Sequence, residues 1–186
     1  SAGLSGSNRK VFDGSGVTTA QINYGGSIEV TFTYTGSTDS SMYKLQDGDY
    51  TWNTSDHNAP KNVGIYTITL TDSGSATFEI IAKPISGVTI SDNDQSKTYD
   101  GQAAGLDLDA LSISGTDTVS GTALSDTGIQ ASDFDWYYAS GNKLDEVPNN
   151  VGTYEARLTD RALAALQNAN PNYSFSEVNG TIKYMI

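Results

Sequence analysis

The residues of this chain able to do chemistry are few, and each can be weighed alone. In DFDWYY (Asp133–Tyr138) strand alternation sets Asp133, Asp135 and Tyr137 on one face and Phe134, Trp136 and Tyr138 on the other. Carboxylates two residues apart on a strand stand roughly 6–7 Å from each other. Glycoside hydrolysis uses two carboxylates at comparable spacing. The matching place in the first half of the chain has Asp49 with Thr51, and no cleft-building segment accompanies either one. His57 is the single histidine. A nucleophilic triad needs a base held by a carboxylate and touching a hydroxyl. The segment TSDHNAP around His57 reads as a turn, which places it on the surface. DNDQSK (Asp92–Lys97) offers oxygens at the first, third and fifth positions of a loop. It has no glycine at the sixth position, and Ala103 stands where an EF-hand has its glutamate. An irregular calcium site is therefore the only cofactor expectation. No glycine-rich phosphate cradle occurs, and no enzymatic activity is expected. Tyr137, with Asp133 and Asp135 beside it, is the candidate ligand-binding group, because its face is otherwise acidic.

These groups must be positioned by strands. Only 37% of the 186 residues are hydrophobic, and Gly, Ser, Thr, Asn and Asp abound. Such a composition favours short strands joined by turns over a helical bundle. There is no cysteine, which removes disulfides and thiolate chemistry. Ten basic residues face 22 acidic ones, a net charge of -12. A chain this acidic lacks the basic footprint that nucleic acid and anionic membranes require. No apolar run is long enough to insert into a bilayer.

The chain repeats itself. PKNVGIYTITLTD (Pro60–Asp72) returns as PNNVGTYEARLTD (Pro148–Asp160), KVFDG (Lys10–Gly14) as KTYDG (Lys97–Gly101), and DYTW (Asp49–Trp52) as DFDW (Asp133–Trp136). The order is kept and the offset is nearly constant, so the chain reads as a tandem duplication. Lys83-Pro84 is the expected joint, since proline cannot continue a ladder on its amide side. The units are then residues 1–83 and 84–186. SIEVTFTY (Ser27–Tyr34) alternates as a strand, with Ile28, Val30, Phe32 and Tyr34 on one face. ATFEII (Ala76–Ile81) and GTIKYMI (Gly180–Ile186) read as the closing strands of the two units. Tyr66, Ile68 and Leu70 in one unit, and Tyr154, Ala156 and Leu158 in the other, form inner faces; Glu155 and Arg157 point away. Trp52 and Trp136, at matched positions, are expected in the two cores. Tyr24, Tyr34, Tyr43 and Tyr173 have no assigned place. TDRALAALQNANP in the second unit carries Leu163, Leu166 and Ala169 at helical spacing, with Thr159 or Asp160 to cap it and Pro171 to stop it. The first unit has SGSA instead.

KTYDG, DFDWYYASGNKLDEVPNNVGTYEARLTD, LAALQNANPNYSF and the closing NGTIKYMI together resemble the MBG-type modules, or Mub repeats, of lactic-acid-bacterial mucus-binding proteins. The match covers nearly all of the second unit. The first unit keeps KVFDG, DYTW and PKNVGIYTITLTD and reads as a diverged, helix-poor partner. The duplicated strands predict an α+β, strand-rich chain of two tandem domains in an elongated arrangement, and the resemblance implies a β-grasp (ubiquitin-like) fold for each. It implies an extracellular, cell-wall-anchored adhesin of a Gram-positive surface, with neighbouring repeats of the same chain. It implies binding to mucin glycoproteins or their glycans, and in some relatives to immunoglobulin, for which strand addition at a sheet edge is one route. The alternative reading is a non-binding stalk that projects other domains from the wall.

Overall fold

Period-two alternation of apolar and polar residues, punctuated by turns, builds almost everything in this chain. The structure is a computed structural model describing residues 8–22, 32–34, 37–39, 46–70, 75–91 and 94–186. Two units separate, Ser1–Lys83 and Pro84–Ile186.

In the first unit the strands are β1 (Arg9–Val11), β2 (Phe32–Tyr34), β3 (Ser37–Asp39), β4 (Tyr50–Trp52), β5 (Gly64–Leu70) and β6 (Ser75–Ile81). Four of them form a sheet in the order β1-β6-β5-β4. β1 runs parallel to β6, while β4, β5 and β6 are mutually antiparallel neighbours. β2 and β3 pair as a separate ribbon. Of the strand expected over Ser27–Tyr34, residues 27–31 lie outside the described residues, as do Tyr24 and Tyr43. Ile68, Phe78 and Ile80 are fully buried, and Trp52 and Phe12 nearly so. Tyr66 and Leu70 are half-buried.

The second unit has β7 (Lys83–Ile85), β8 (Val88–Ser91), β9 (Gln95–Ser96), β10 (Ser112–Gly115), β11 (Phe134–Tyr138), β12 (Thr153–Leu158), a helix α1 (Leu163–Ala169), β13 (Tyr173–Phe175) and β14 (Asn179–Met185). The main sheet runs β10-β8-β14-β12-β11, with β9 also on β14. β8 and β9 both lie parallel to β14; the β11–β12 and β12–β14 pairs are antiparallel. Ala156, Ile182 and Leu166 have no exposed surface.

The chain passes from one unit to the other at Lys83-Pro84 as β7, which pairs with β13 in a two-stranded ribbon, a place where proline is tolerated. Two local expectations are corrected. Asp133 is not a strand residue but ends a 3-10 turn (Ala131–Asp133). The helix buries Ala162 and Leu166 and leaves Leu163 and Ala169 half-exposed. It begins as a 3-10 turn (Asp160–Ala162) capped by Thr159, whose side chain accepts from the Arg161 amide. At its far end the buried Asn170 donates to the carbonyls of Leu166 and Ser125 and accepts from the Ser125 amide. Tyr173, unassigned from sequence, is a core residue whose hydroxyl is hydrogen-bonded to the Val119 amide and the Thr122 carbonyl.

The repeated phrases are repeated hydrogen bonds. Lys10 Nζ holds Asp13 Oδ1 and the Ser15 carbonyl, both at 2.9 Å; Lys97 Nζ holds Asp100 Oδ1 at 2.6 Å and the Gln102 carbonyl at 3.0 Å. The glycine after each aspartate takes a positive φ, 77° at Gly14 and 75° at Gly101, where a side chain would be strained. The Pro60 carbonyl accepts from the Val17 amide, and the Pro148 carbonyl from Ala104. Tyr66 and Tyr154 donate to the Asn62 and Asn150 carbonyls, each at 2.9 Å. Their hydroxyls lie 3.1 and 3.0 Å from where a Cβ on Gly64 or Gly152 would sit, which explains the glycine in each phrase. Each hairpin then closes on a tryptophan. Trp52 meets Phe78 edge-on at 6.1 Å, and Trp136 meets Tyr184 edge-on at 5.5 Å. The two tryptophans occupy the same register, opposite Ile68 and Ala156.

Two outcomes follow. Partial desolvation works to raise the Asp13 pKa, but the hydrogen bonds from Lys10 and Ser15 outweigh it and hold it at about 2, below the usual 3.8. A carboxyl lowered in the folded state stabilises the fold at neutral pH, and that contribution fades as pH falls from about 3.8 to about 2. Asp13→Asn should therefore flatten the acid limb of first-unit stability, followed by denaturant melts across that range; an unchanged limb would assign the titration elsewhere. At Gly180, a Cβ would stand 2.7 Å from Ile90 Cβ across the β8–β14 seam. Gly180→Ala should cost the second unit about 1–3 kcal/mol, read from urea melts, with the first-unit transition unmoved.

Candidate binding surface

Residues that the two units share build the frame, so recognition is to be sought where they differ. The outward faces of β4–β5–β6 and β11–β12–β14 superpose by register. In the first unit that face is a row of hydroxyls, with Thr51 opposite Thr69 and Thr67 opposite Thr77. In the second unit the same places hold Asp135 opposite Arg157 and Glu155 opposite Lys183. Tyr137 lies opposite Glu155 and stands where the first unit has Asn53.

Charge on this face is organised around two carboxylates. Asp135 accepts from Lys143 at 2.8 Å through one oxygen and from Arg161 at 2.7 Å through the other. These two hydrogen bonds, Lys143 first, hold the Asp135 carboxyl below its ordinary pKa, and the same contact raises Lys143. Arg157 donates twice to Glu155 Oε2, at 3.0 and 2.7 Å. Its guanidinium carbon also sits 4.0 Å from the Tyr137 ring centroid, a cation–π contact. Lys143, Arg157, Arg161 and Lys183 make four of the ten basic residues in the whole chain. A strongly acidic protein thus gathers cations on one outward face, with Arg157 over the half-buried Tyr137 ring and Lys143 bridged to its backbone.

The sequence candidates divide accordingly. Asp135 and Tyr137 share this face. Asp133 does not: its carboxylate caps its own turn, accepting from the Gln130 amide at 2.8 Å. Asp49 does the same for the Gln46 amide at 2.7 Å, so this aspartate is frame in both units. The signal for that role is present in the sequence as a Gln three residues before each Asp, in QDGD and QASD. Asp133 and Asp135 therefore do not form the side-by-side carboxylate pair that strand alternation predicts. Alternation puts Arg157 on the outer face, but only the fold brings Lys143 and Arg157 to Tyr137.

His57 sits in a turn with φ 58°, its Nδ1 3.2 Å from the Trp52 carbonyl. Nearby, an open polar groove of about 610 Å³ is lined by Thr54, Asp56, Asn58, Lys61 and Tyr66 among others. Of the loop considered for calcium, Asp92 and Asn93 lie outside the described residues. The Gln95 side chain is tied to the backbone of Asp107 by two hydrogen bonds. Among the described residues no group of three or more His, Asp or Glu is placed to hold a metal. Among them, too, no helix is long and apolar enough to cross a membrane.

Comparison with known proteins matches the MBG domain twice, over residues 1–85 and 86–186. A solved structure of a cell surface adhesin from Lactobacillus reuteri is similar at 31% sequence identity, over 53% of this chain and 93% of that one, with a TM-score of 0.41. No curated protein matches.

The ion pairs on this face are part-exposed, and solvent screening leaves such pairs a small share in stability. Asp135→Ala and Tyr137→Ala should therefore leave far-UV circular dichroism unchanged and lower second-unit stability only slightly. Unfolding of either variant would make this face part of the frame.

Proposed function

Since the chain belongs to the MBG domain family in both its halves, we propose that it is a repeat segment of a bacterial cell-surface adhesin that contacts host mucin glycoproteins. The likeness to the Lactobacillus reuteri adhesin supports the surface setting. In this reading each unit is a β-grasp domain, supported by the parallel pairing of its N-terminal strands with its last strand. The segment is non-catalytic, extracellular and anchored to the cell wall through the longer protein.

The observation that carries the binding role is the contrast between the two outward faces. The threonine row on one unit and the Tyr137–Arg157 face on the other stand on the same frame. On that frame one face carries neutral hydroxyls and the other an aromatic ring among paired charges. Mucin is acidic, and a chain of net charge -12 gains nothing from bulk attraction to it. Contact then rests on local groups, with Tyr137 and the Arg157 guanidinium stacked on it as the aromatic–cationic centre and Asp135 with its paired cations as polar partners. Binding by one segment is weak, micromolar or poorer, and tandem copies raise it through effective concentration. Immunoglobulin capture by strand addition would use an edge strand, β4 or β10.

The alternative is a stalk segment without a ligand of its own. It is favoured by one observation: the repeated residues serve the frame. Surface plasmon resonance of the 186-residue chain over immobilised mucin separates the two. Weak binding that Tyr137→Ala abolishes is the expected result. Binding unaffected by Tyr137→Ala moves the site elsewhere, and no binding by single or concatenated segments leaves the stalk reading.

A further inference from the structure

Each unit places early strands beside its last strand and parallel to it: β1 on β6 in the first, and β8 and β9 on β14 in the second, where β7 precedes them and pairs with β13. In the first, β1 pairs with β6 with Arg9 opposite Glu79 and Val11 opposite Ile81. The seam is closed at its two ends by the Glu79 amide on the Asn8 carbonyl and the Phe12 amide on the Ile81 carbonyl, at 2.8 and 2.9 Å. The Arg9–Glu79 ion pair, at 2.7 Å, spans the same seam. In the second unit β8 and then β9 lie along β14, with Thr89 opposite Asn179, Ile90 opposite Gly180, Gln95 opposite Tyr184 and Ser96 opposite Met185. The Lys97 amide on the Met185 carbonyl, at 2.9 Å, extends that seam.

This arrangement fixes how each unit meets a pull along the chain. Force enters at β1 in the first unit and passes through β7 to β8 and β9 in the second, and it leaves at the end of the last strand, β6 or β14. Because those strands run the same way side by side, the pull slides them past each other. The evenly spaced bonds of a parallel ladder then share the load and must fail together. An antiparallel hairpin pulled at its open end fails one pair at a time instead. The aromatic core backs the seam: Ile80 is 1% exposed, Ile182 0% and Tyr184 3%. In each unit the lysine-held turn, Lys10 with Asp13 or Lys97 with Asp100, follows directly and ties the end of the first strand to the loop after it.

We infer that the two units are tension-bearing elements, resisting extension by shear between β1 and β6 in the first and between β8–β9 and β14 in the second. The role needs no ligand, so it stands whether the segment binds mucin or serves as a stalk. It also accounts for why the seam geometry is kept in both copies while their outward faces diverge.

Single-molecule force spectroscopy tests it. The chain has no cysteine, so introduced cysteines are unique attachment points. The intact chain is stretched from its two ends. A second form carries handles at the exposed positions Ser132 and Asp160, which flank the open end of β11–β12, where Phe134 faces Leu158. Both forms must first show the same chemical denaturation profile. Forced unfolding reports the barrier out of the native state. At equal loading rate, end-to-end stretching should unfold the second unit at a force higher by about twofold or more than the hairpin geometry, because the ladder bonds yield together. The first unit, recognised by its shorter released length, should show a similarly high force. End-to-end forces no higher than those of the hairpin geometry would overturn the inference.

Discussion

The contact on which each unit depends is an edge-to-face meeting of two aromatic rings across its sheet. Trp136 meets Tyr184, and Trp52 meets Phe78. In each case a short hairpin strand is joined, over the intervening strand, to the strand that ends the unit. Small or aliphatic residues opposite the tryptophans, Ala156 and Ile68, leave room for the indole to reach over. With only 37% hydrophobic residues, a chain of this kind cannot spread its core widely. It concentrates apolar area in a few large rings, each of which buries far more surface than an aliphatic side chain. The backbone ties of proline, tyrosine and lysine then hold the loops that cover those rings.

Alternation carried much of the architecture in readable form. The closing strands, the inward tryptophans and the inner set of β12 follow from period two, because one buried face forces that pattern. The short helix was readable from its cap and its proline stop. What escaped reading depends on partners distant in the chain. Asn170 is polar and would be drawn as exposed, yet its amide is spent on Ser125, 45 residues away. Tyr173 looks the same as any surface tyrosine until Val119 and Thr122 arrive at its hydroxyl. Alternation alone carries Asp133 into the strand, but the strand begins one residue later, at Phe134.

The candidate surface was half legible for a similar reason. Tyr137 and Asp135 follow from counting along one strand. Lys143 and Arg161 come from a loop and a helical turn, and only the fold brings them to the same carboxylate. Equal phrases also do not guarantee equal burial. Phe12 in KVFDG is 3% exposed, whereas Tyr99 at the same place in KTYDG is 56% exposed. A motif can keep its backbone hydrogen bonds and still turn its aromatic outward.

The shared proline–asparagine–valine–glycine–tyrosine phrase has a genetic corollary. It encodes the same backbone tie in both units, at the loop that leads into β5 in one and β12 in the other. A crossover between the two coding copies at that point joins halves whose loops and registers already agree. Unequal recombination there would lengthen or shorten such an array, and shuffle its outer surfaces, without breaking the tie at the junction.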